Sequence, residues 1–121
     1  MFEQASCWID GSIVPASEAK VSVFDHGFLY GDGIFEGVRF YNNKTFRLSL
    51  HLKRLRRSAA ALQLDLPLAM EELEQAVAET IVASPLHEGY LRIIITRGVG
   101  VLGINPATSK KPSVIIIVDQ L

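Results

Sequence analysis

The chain has 121 residues, 49% of them hydrophobic, with 12 basic and 13 acidic side chains and a net charge of −1. That length makes one domain with room for a real core, and the balanced charge supplies no long-range field to draw nucleic acid or an anionic membrane. Cys7 is the only cysteine, which excludes an intrachain disulfide and a multi-cysteine metal site.

Met1-Phe2-Glu3-Gln4 has neither the basic nor the apolar region of a signal peptide, so a cytoplasmic location is expected. Trp8 to Val14 reads as a β-hairpin, because Asp10-Gly11 suits the two central positions of a type I′ turn. Val21 to Phe24 alternates briefly and leads into Asp25-His26-Gly27, a turn. Ile34 to Tyr41 is a strand, closed by Asn42-Asn43-Lys44 and answered by Thr45 to Leu48 in a second hairpin. Ser49 is placed to cap a helix running to about Leu64, with Leu52, Leu55, Ala59 and Leu62 at helical spacing. Pro67 opens a second helix over roughly Leu68 to Ala83, with Leu73, Val77 and Ile81 as its apolar stripe and Glu71, Glu72 and Glu74 in its first turns, where the helix dipole favours acids. Pro85 ends it.

Tyr90 to Thr96 is a buried strand, followed by a glycine-rich loop and a last strand over Val114 to Val118. That five-residue aliphatic run is far too short to cross a bilayer, and it suggests cover on both faces of the sheet. Strands, two helices, then strands predict an α+β fold with a mainly antiparallel sheet. A mean hydropathy of +0.25 implies either a generous core or apolar surface that meets a partner. Stopping straight after a central-looking strand, the chain is expected to be a domain of something longer.

Chemistry concentrates in Tyr30-Gly31-Asp32-Gly33-Ile34-Phe35-Glu36-Gly37-Val38-Arg39. Phe35, Glu36 and Arg39 supply an apolar wall, a carboxylate and a cation within five residues of glycine-rich strand, more than a core strand needs. Glu36 is either an acid or base, or a salt-bridge partner of Arg39 or Arg92. The helix after Ser49 carries His51, Lys53, Arg54, Arg56 and Arg57, which reads as a solvated basic face. Arg54, however, precedes the core position Leu55, so its stem can lie along the buried edge with its head reaching inward, where a guanidinium suits a phosphate. Arg92 interrupts an apolar strand, as a structural ion pair or as a carboxylate binder. Gly98 to Gly103 matches G-x-G-x-x-G, but Asn105-Pro106 and Pro112 deny the helix that a dinucleotide site requires, leaving a loop that shapes a pocket mouth. His26, His51 and His87 lack metal-ligand spacing and read as turn or surface residues, and Cys7 beside Trp8 reads as packing.

Taken together the motifs resemble the class IV, fold-type IV, pyridoxal-phosphate aminotransferases, and most closely the amino-terminal domain of the branched-chain amino-acid aminotransferases. The matching pieces are Trp8 to Gly11, Ala19 to Val21, Tyr30 to Arg39, Phe46-Arg47, His51 to Leu55, Tyr90 to Arg92, Thr96 to Gly98 and Gly103 to Pro106, in family order over nearly the whole chain. The resemblance implies that Arg54 holds the cofactor phosphate and that Phe35, Gly37 and Arg39 line the side-chain pocket. It also implies that Tyr90 and Arg92 lie near the substrate carboxylate, and that Tyr30, Leu102 and Ile104 reach the pocket, some of them across a dimer interface. An amino acid and a 2-oxo acid are the implied substrates, leucine, isoleucine or valine giving its amino group to 2-oxoglutarate, and a homodimer or larger homo-oligomer is implied. In the family the cofactor-anchoring lysine lies in a second, larger domain, and none of Lys20, Lys44, Lys53, Lys110 or Lys111 falls in its motif. Residues 1–121 are therefore expected to be the small domain alone, inactive by itself. Kept beside this reading are a D-amino-acid aminotransferase, an aminodeoxychorismate lyase, and a non-catalytic domain that self-associates through apolar surface.

Overall fold

The computed structural model describes residues 2–121; Met1, the first residue of the stretch read for a signal peptide, lies outside the described residues. The strands are β1 (Ser6–Ile9), β2 (Ser12–Pro15), β3 (Gly33–Tyr41), β4 (Lys44–Thr45), β5 (Gly89–Thr96) and β6 (Ser113–Asp119). They form one antiparallel sheet in the order β2-β1-β6-β5-β3-β4. The helices are α1 (His26–Tyr30), α2 (Leu48–Ala61) and α3 (Met70–Val82). The architecture is α+β, as expected.

The first hairpin turns through Asp10 and Gly11 at φ 46° and 107°, the left-handed pair that a type I′ turn demands and that glycine adopts without strain. Asp10 then accepts hydrogen bonds from the Val114 amide at 2.7 Å and the Ser113 hydroxyl at 2.8 Å, tying the turn to the start of β6. Alternation along the three central strands sends Val38, Phe40, Leu91, Ile93, Ile95, Val114, Ile116 and Val118 to one face, where all are buried. Helices α2 and α3 cover that face with Leu52, Leu55, Ala59, Leu73, Val77 and Ile81. Burial of this shared interior is the main stabilising contribution.

Several expectations change. The segment Asp25-His26-Gly27 is the start of a one-turn helix, because the Asp25 carboxylate accepts from the Gly27 amide at 2.7 Å and caps it. Helix α2 starts at Leu48, so Ser49 lies inside the helix and Arg47, at φ 57°, occupies the cap position without a side-chain cap bond. The second hairpin is correspondingly short, since β4 has only two residues. Helix α3 begins at Met70, three residues past Pro67, where Glu72 accepts from the Ala69 amide at 2.9 Å. Among the described residues, no helix of α2 or α3 size covers the second face of β6. Its Ile115 and Ile117 instead line an apolar hollow of about 480 Å³, bordered by α1 and by Ala19, Lys20 and Val21 of the irregular segment leading into it.

Leu55 is fully buried between α2 and the sheet, whereas Leu102 is 69% exposed. Leu55→Ala is expected to lower the unfolding free energy by about 2–5 kcal/mol in urea titrations, while Leu102→Ala stays within about 0.5 kcal/mol of the parent. Equal effects would contradict this placement of the core.

Candidate active site

Strand β3 organises the candidate site. Its even-numbered residues face the helices and its odd-numbered residues face the open side, so neighbours in sequence serve opposite faces. Beyond Phe40 and Tyr41 it has no partner on the β4 side, which leaves the edge of residues 33–38 without a strand partner among the described residues.

On the helix side, Glu36 is a carboxylate only 5% exposed among apolar neighbours. Such a group is costly to bury unless it is paired. Arg54 donates to it twice, from Nε to Oε2 and from Nη2 to Oε1, both at 2.8 Å. His51 reaches Oε1 at 2.7 Å through Nδ1, which must carry the proton because a carboxylate only accepts. Both partners lie on α2, three residues apart and thus on one helix face. The Arg54 side chain is nonetheless 60% exposed. One edge of its guanidinium is spent on Glu36, and the Nη1 edge has no partner among the described residues. An arginine held this way offers fixed, outward N–H donors to an anion such as a phosphate.

On the open side, cross-strand pairing sets Phe35 opposite Ile94, Gly37 opposite Arg92 and Arg39 opposite Tyr90. The Arg92 guanidinium stacks 4.6 Å from the Phe35 ring centre and donates to the Tyr90 hydroxyl at 3.3 Å. Arg39 lies 5.4 Å over the Tyr41 ring and donates to its hydroxyl. Tyr90 leans across Gly37, where a Cβ would collide with the phenol, so any other residue there would have to displace the Tyr90 ring. Two cations, held by aromatic rings and by no carboxylate among the described residues, are suited to an anionic organic ligand. Phe35 and Arg92 also border the apolar hollow, beside Ile94, Ile115 and Ile117.

Tyr30, Leu102 and Ile104 form a third group. Tyr30 on α1 accepts a hydrogen bond from the Gly103 amide, and the flanking Leu102 and Ile104 side chains are 69% and 82% exposed. They do not line the hollow, so the chain itself gathers Phe35, Gly37, Arg39, Tyr90 and Arg92 but not these three.

Several sequence-based expectations shift here. Glu36 pairs with Arg54 and His51 rather than with Arg39 or Arg92, because alternation places the two arginines on the opposite face. Arg92 is exposed, so it needs no ion pair. His51 is a partner of Glu36 rather than a surface residue, a role its spacing of three from Arg54 signals. His26 is completely buried. Cys7 is buried as expected.

Hydrogen bonds from Arg54 hold the Glu36 carboxyl below the usual carboxylate range, against the upward push of burial and with further help from His51. Because the folded value lies below the unfolded one, the stabilisation is complete above the unfolded carboxylate value, about 4.3, and is lost as pH falls through the folded value. In thermal melts, Glu36→Gln is expected to melt lower than the parent at pH 7, with the gap narrowing below about pH 4. A gap that stays constant with pH would contradict the pairing.

Comparison with known proteins identifies the family of the chain and its fold. The family model described as amino-transferase class IV matches residues 33–121. A Methanocaldococcus jannaschii protein provisionally named as a branched-chain-amino-acid aminotransferase is 46% identical over 110 residues, covering 91% of this chain and 38% of that protein. The D-alanine aminotransferase of Staphylococcus haemolyticus is 41% identical over 92 residues, covering 76% of this chain and 33% of that one. Among solved structures, the branched-chain amino acid aminotransferase from Escherichia coli superposes with a TM-score of 0.89 at 31% identity, covering 98% of this chain and 41% of that one. The chain thus spans about two fifths of the first relative's length. It belongs to the class IV amino-transferase family.

Proposed function

We propose that this chain is the amino-terminal small domain of a pyridoxal-phosphate-dependent branched-chain amino-acid aminotransferase, which in its full-length form passes the amino group of leucine, isoleucine or valine to 2-oxoglutarate. The observation that carries the proposal is the arrangement about the free edge of β3. On one side lies Arg54, anchored by Glu36 with donors to spare; on the other lie Phe35, Gly37, Arg39, Tyr90 and Arg92.

The residues present fit part of the cofactor. Arg54 fits its phosphate, while the anchoring lysine and the partner of the pyridine nitrogen are assigned to a larger domain that follows in the full-length protein. When bound, pyridoxal phosphate supplies the electron sink through which an amino group is exchanged. This chain's residues bind and orient. Arg54 neutralises phosphate charge without reorganising, because Glu36 already fixes its plane. Phe35 offers an apolar wall to a branched side chain, Gly37 leaves room for the Tyr90 ring to lie across the strand, and Tyr90 with Arg92 steers a substrate carboxylate. Arg39 also provides for the second carboxylate when glutamate is the substrate. Val23, Phe28, Leu102 and Ile104, all more than 60% exposed, are the kind of apolar surface a second copy covers, which supports a homodimer in which Tyr30, Leu102 and Ile104 complete a pocket. A cytoplasmic enzyme acting on soluble amino and 2-oxo acids is the setting this reading implies.

The test uses the full-length protein. Arg54→Ala is expected to weaken pyridoxal phosphate binding by about 10–100-fold, read from the absorption band between roughly 400 and 430 nm on titration. The unmutated enzyme should prefer leucine over D-alanine in kcat/KM. Unchanged cofactor affinity would remove Arg54 from the site, and preference for D-alanine would move the protein to the D-amino-acid branch of the family.

A further inference from the structure

His26 is an unexpected residue to find at zero exposure. Its Nε2 lies 2.9 Å from the Val101 carbonyl oxygen, which only accepts, so Nε2 carries the proton and donates. Its Nδ1 is buried with no hydrogen-bond partner among the described residues. An apolar ring of similar size would fill this space without stranding a nitrogen, so packing alone does not account for an imidazole here. What the imidazole adds is the bond to Val101.

That bond lies within a seam between α1 and the glycine-rich loop. The His26 amide donates to the Gly98 carbonyl at 2.9 Å, and the Gly100 amide donates to the Phe24 carbonyl at 3.1 Å. Further along, Tyr30 accepts from the Gly103 amide. Among the described residues, the side-chain bonds from α1 to the loop thus come from His26 and Tyr30. These lie four residues apart on one face of the helix, and their rings meet edge-on at 5.1 Å. Gly100 permits the approach. A Cβ there would fall 2.5 Å from the His26 Nε2 and 2.6 Å from the Ser109 Oγ. The large exposed apolar side chains of this loop beyond Val101 are Leu102 and Ile104, on either side of the amide that Tyr30 holds.

We infer that His26 is a positioning residue for substrate selection: through Val101, and together with Tyr30, it sets the loop that presents Leu102 and Ile104, across the proposed homodimer, as part of the apolar wall for the substrate side chain. This rests on the function proposed above. A loop fixed at Val101 and Gly103 holds the intervening Leu102 at a set height, whereas loss of the His26 bond frees the Val101 carbonyl and leaves Tyr30 as the side-chain tether from α1, beside the amide bonds of Gly100 to the Phe24 carbonyl and of Val101 to the Thr108 hydroxyl. The loss then falls on substrates that need the wall, and not on those too small to touch it.

The experiment compares leucine with L-alanine as amino donors for the full-length holoenzyme. His26→Phe, which keeps a ring but removes the donor, is expected to raise KM for leucine about fivefold or more with kcat little changed. The alanine parameters and the cofactor absorption band stay as in the parent, so the leucine-to-alanine ratio of kcat/KM narrows. His26→Gln, whose amide N–H reaches the place of Nε2, should restore the ratio. Gly100→Ala is the second variant, pushing the loop off an intact His26, and should narrow the ratio in the same way. It also decides the question if His26→Phe fails to fold. Hydrogen exchange at the Val101 to Gly103 amides should quicken in both while β5 is unchanged. An active parent whose ratio and loop exchange are unaltered in the folded variants, or variants that lose leucine and alanine activity equally, would overturn the inference alone. A parent inactive toward leucine would overturn the functional reading and this inference with it.

Discussion

The structure turns on one buried carboxylate. Glu36 interrupts the inward-facing positions of β3, where Val38 and Phe40 are fully buried, and its charge is tolerable only because α2 brings two donors to it. Satisfying Glu36 fixes the rotation of α2 about its axis. With His51 and Arg54 turned to the strand, Leu52, Leu55 and Ala59 face the core and the remaining basic residues of the helix turn to solvent. A single polar position thereby orients a helix, and with it the guanidinium that the proposed function assigns to a phosphate.

The same strand accounts for the division of labour across the sheet. Residues 35, 37 and 39 face away from Glu36, so an apolar wall, a glycine that the Tyr90 ring crosses and a cation appear on the face that α2 and α3 leave open. Gly37 is next to Glu36 in sequence and beneath Tyr90 in space. An extended strand with a free edge allows one ligand to be gripped from both faces at once, which neither a helix nor a central strand permits. The apolar hollow beside Phe35 and Arg92 extends that open face toward β1 and β6.

Much of this is legible in the sequence, for identifiable reasons. Asp10-Gly11 announces its turn through backbone conformation alone, and the period-two pattern from Ile34 to Tyr41 marks a strand with two different faces. Helix positions at Leu52, Leu55 and Ala59 follow from spacing. What escapes the sequence depends on contacts distant in the chain. Arg92 reads as buried because its neighbours Leu91 and Ile93 are, yet alternation alone puts it outside, over Phe35. The partner of Glu36 lies 18 residues away at Arg54, a pairing that only the packing of α2 on β3 decides. Helix α1 is hidden because one turn carries no periodicity, and its cap at Asp25 is also bound by Thr96, 71 residues on. His26 gives no local sign of burial, since the Val101 carbonyl that it meets lies 75 residues further along.

The central claim, that Glu36 presents Arg54 to the cofactor phosphate at the edge of β3, is tested most directly by the crystal structure of the full-length protein with pyridoxal phosphate bound. The account predicts a phosphate oxygen about 2.7–3.2 Å from the outer guanidinium nitrogens of Arg54, with both bonds from Arg54 to Glu36 retained. A phosphate bound elsewhere, with Arg54 still paired to Glu36 and otherwise facing solvent, would contradict it.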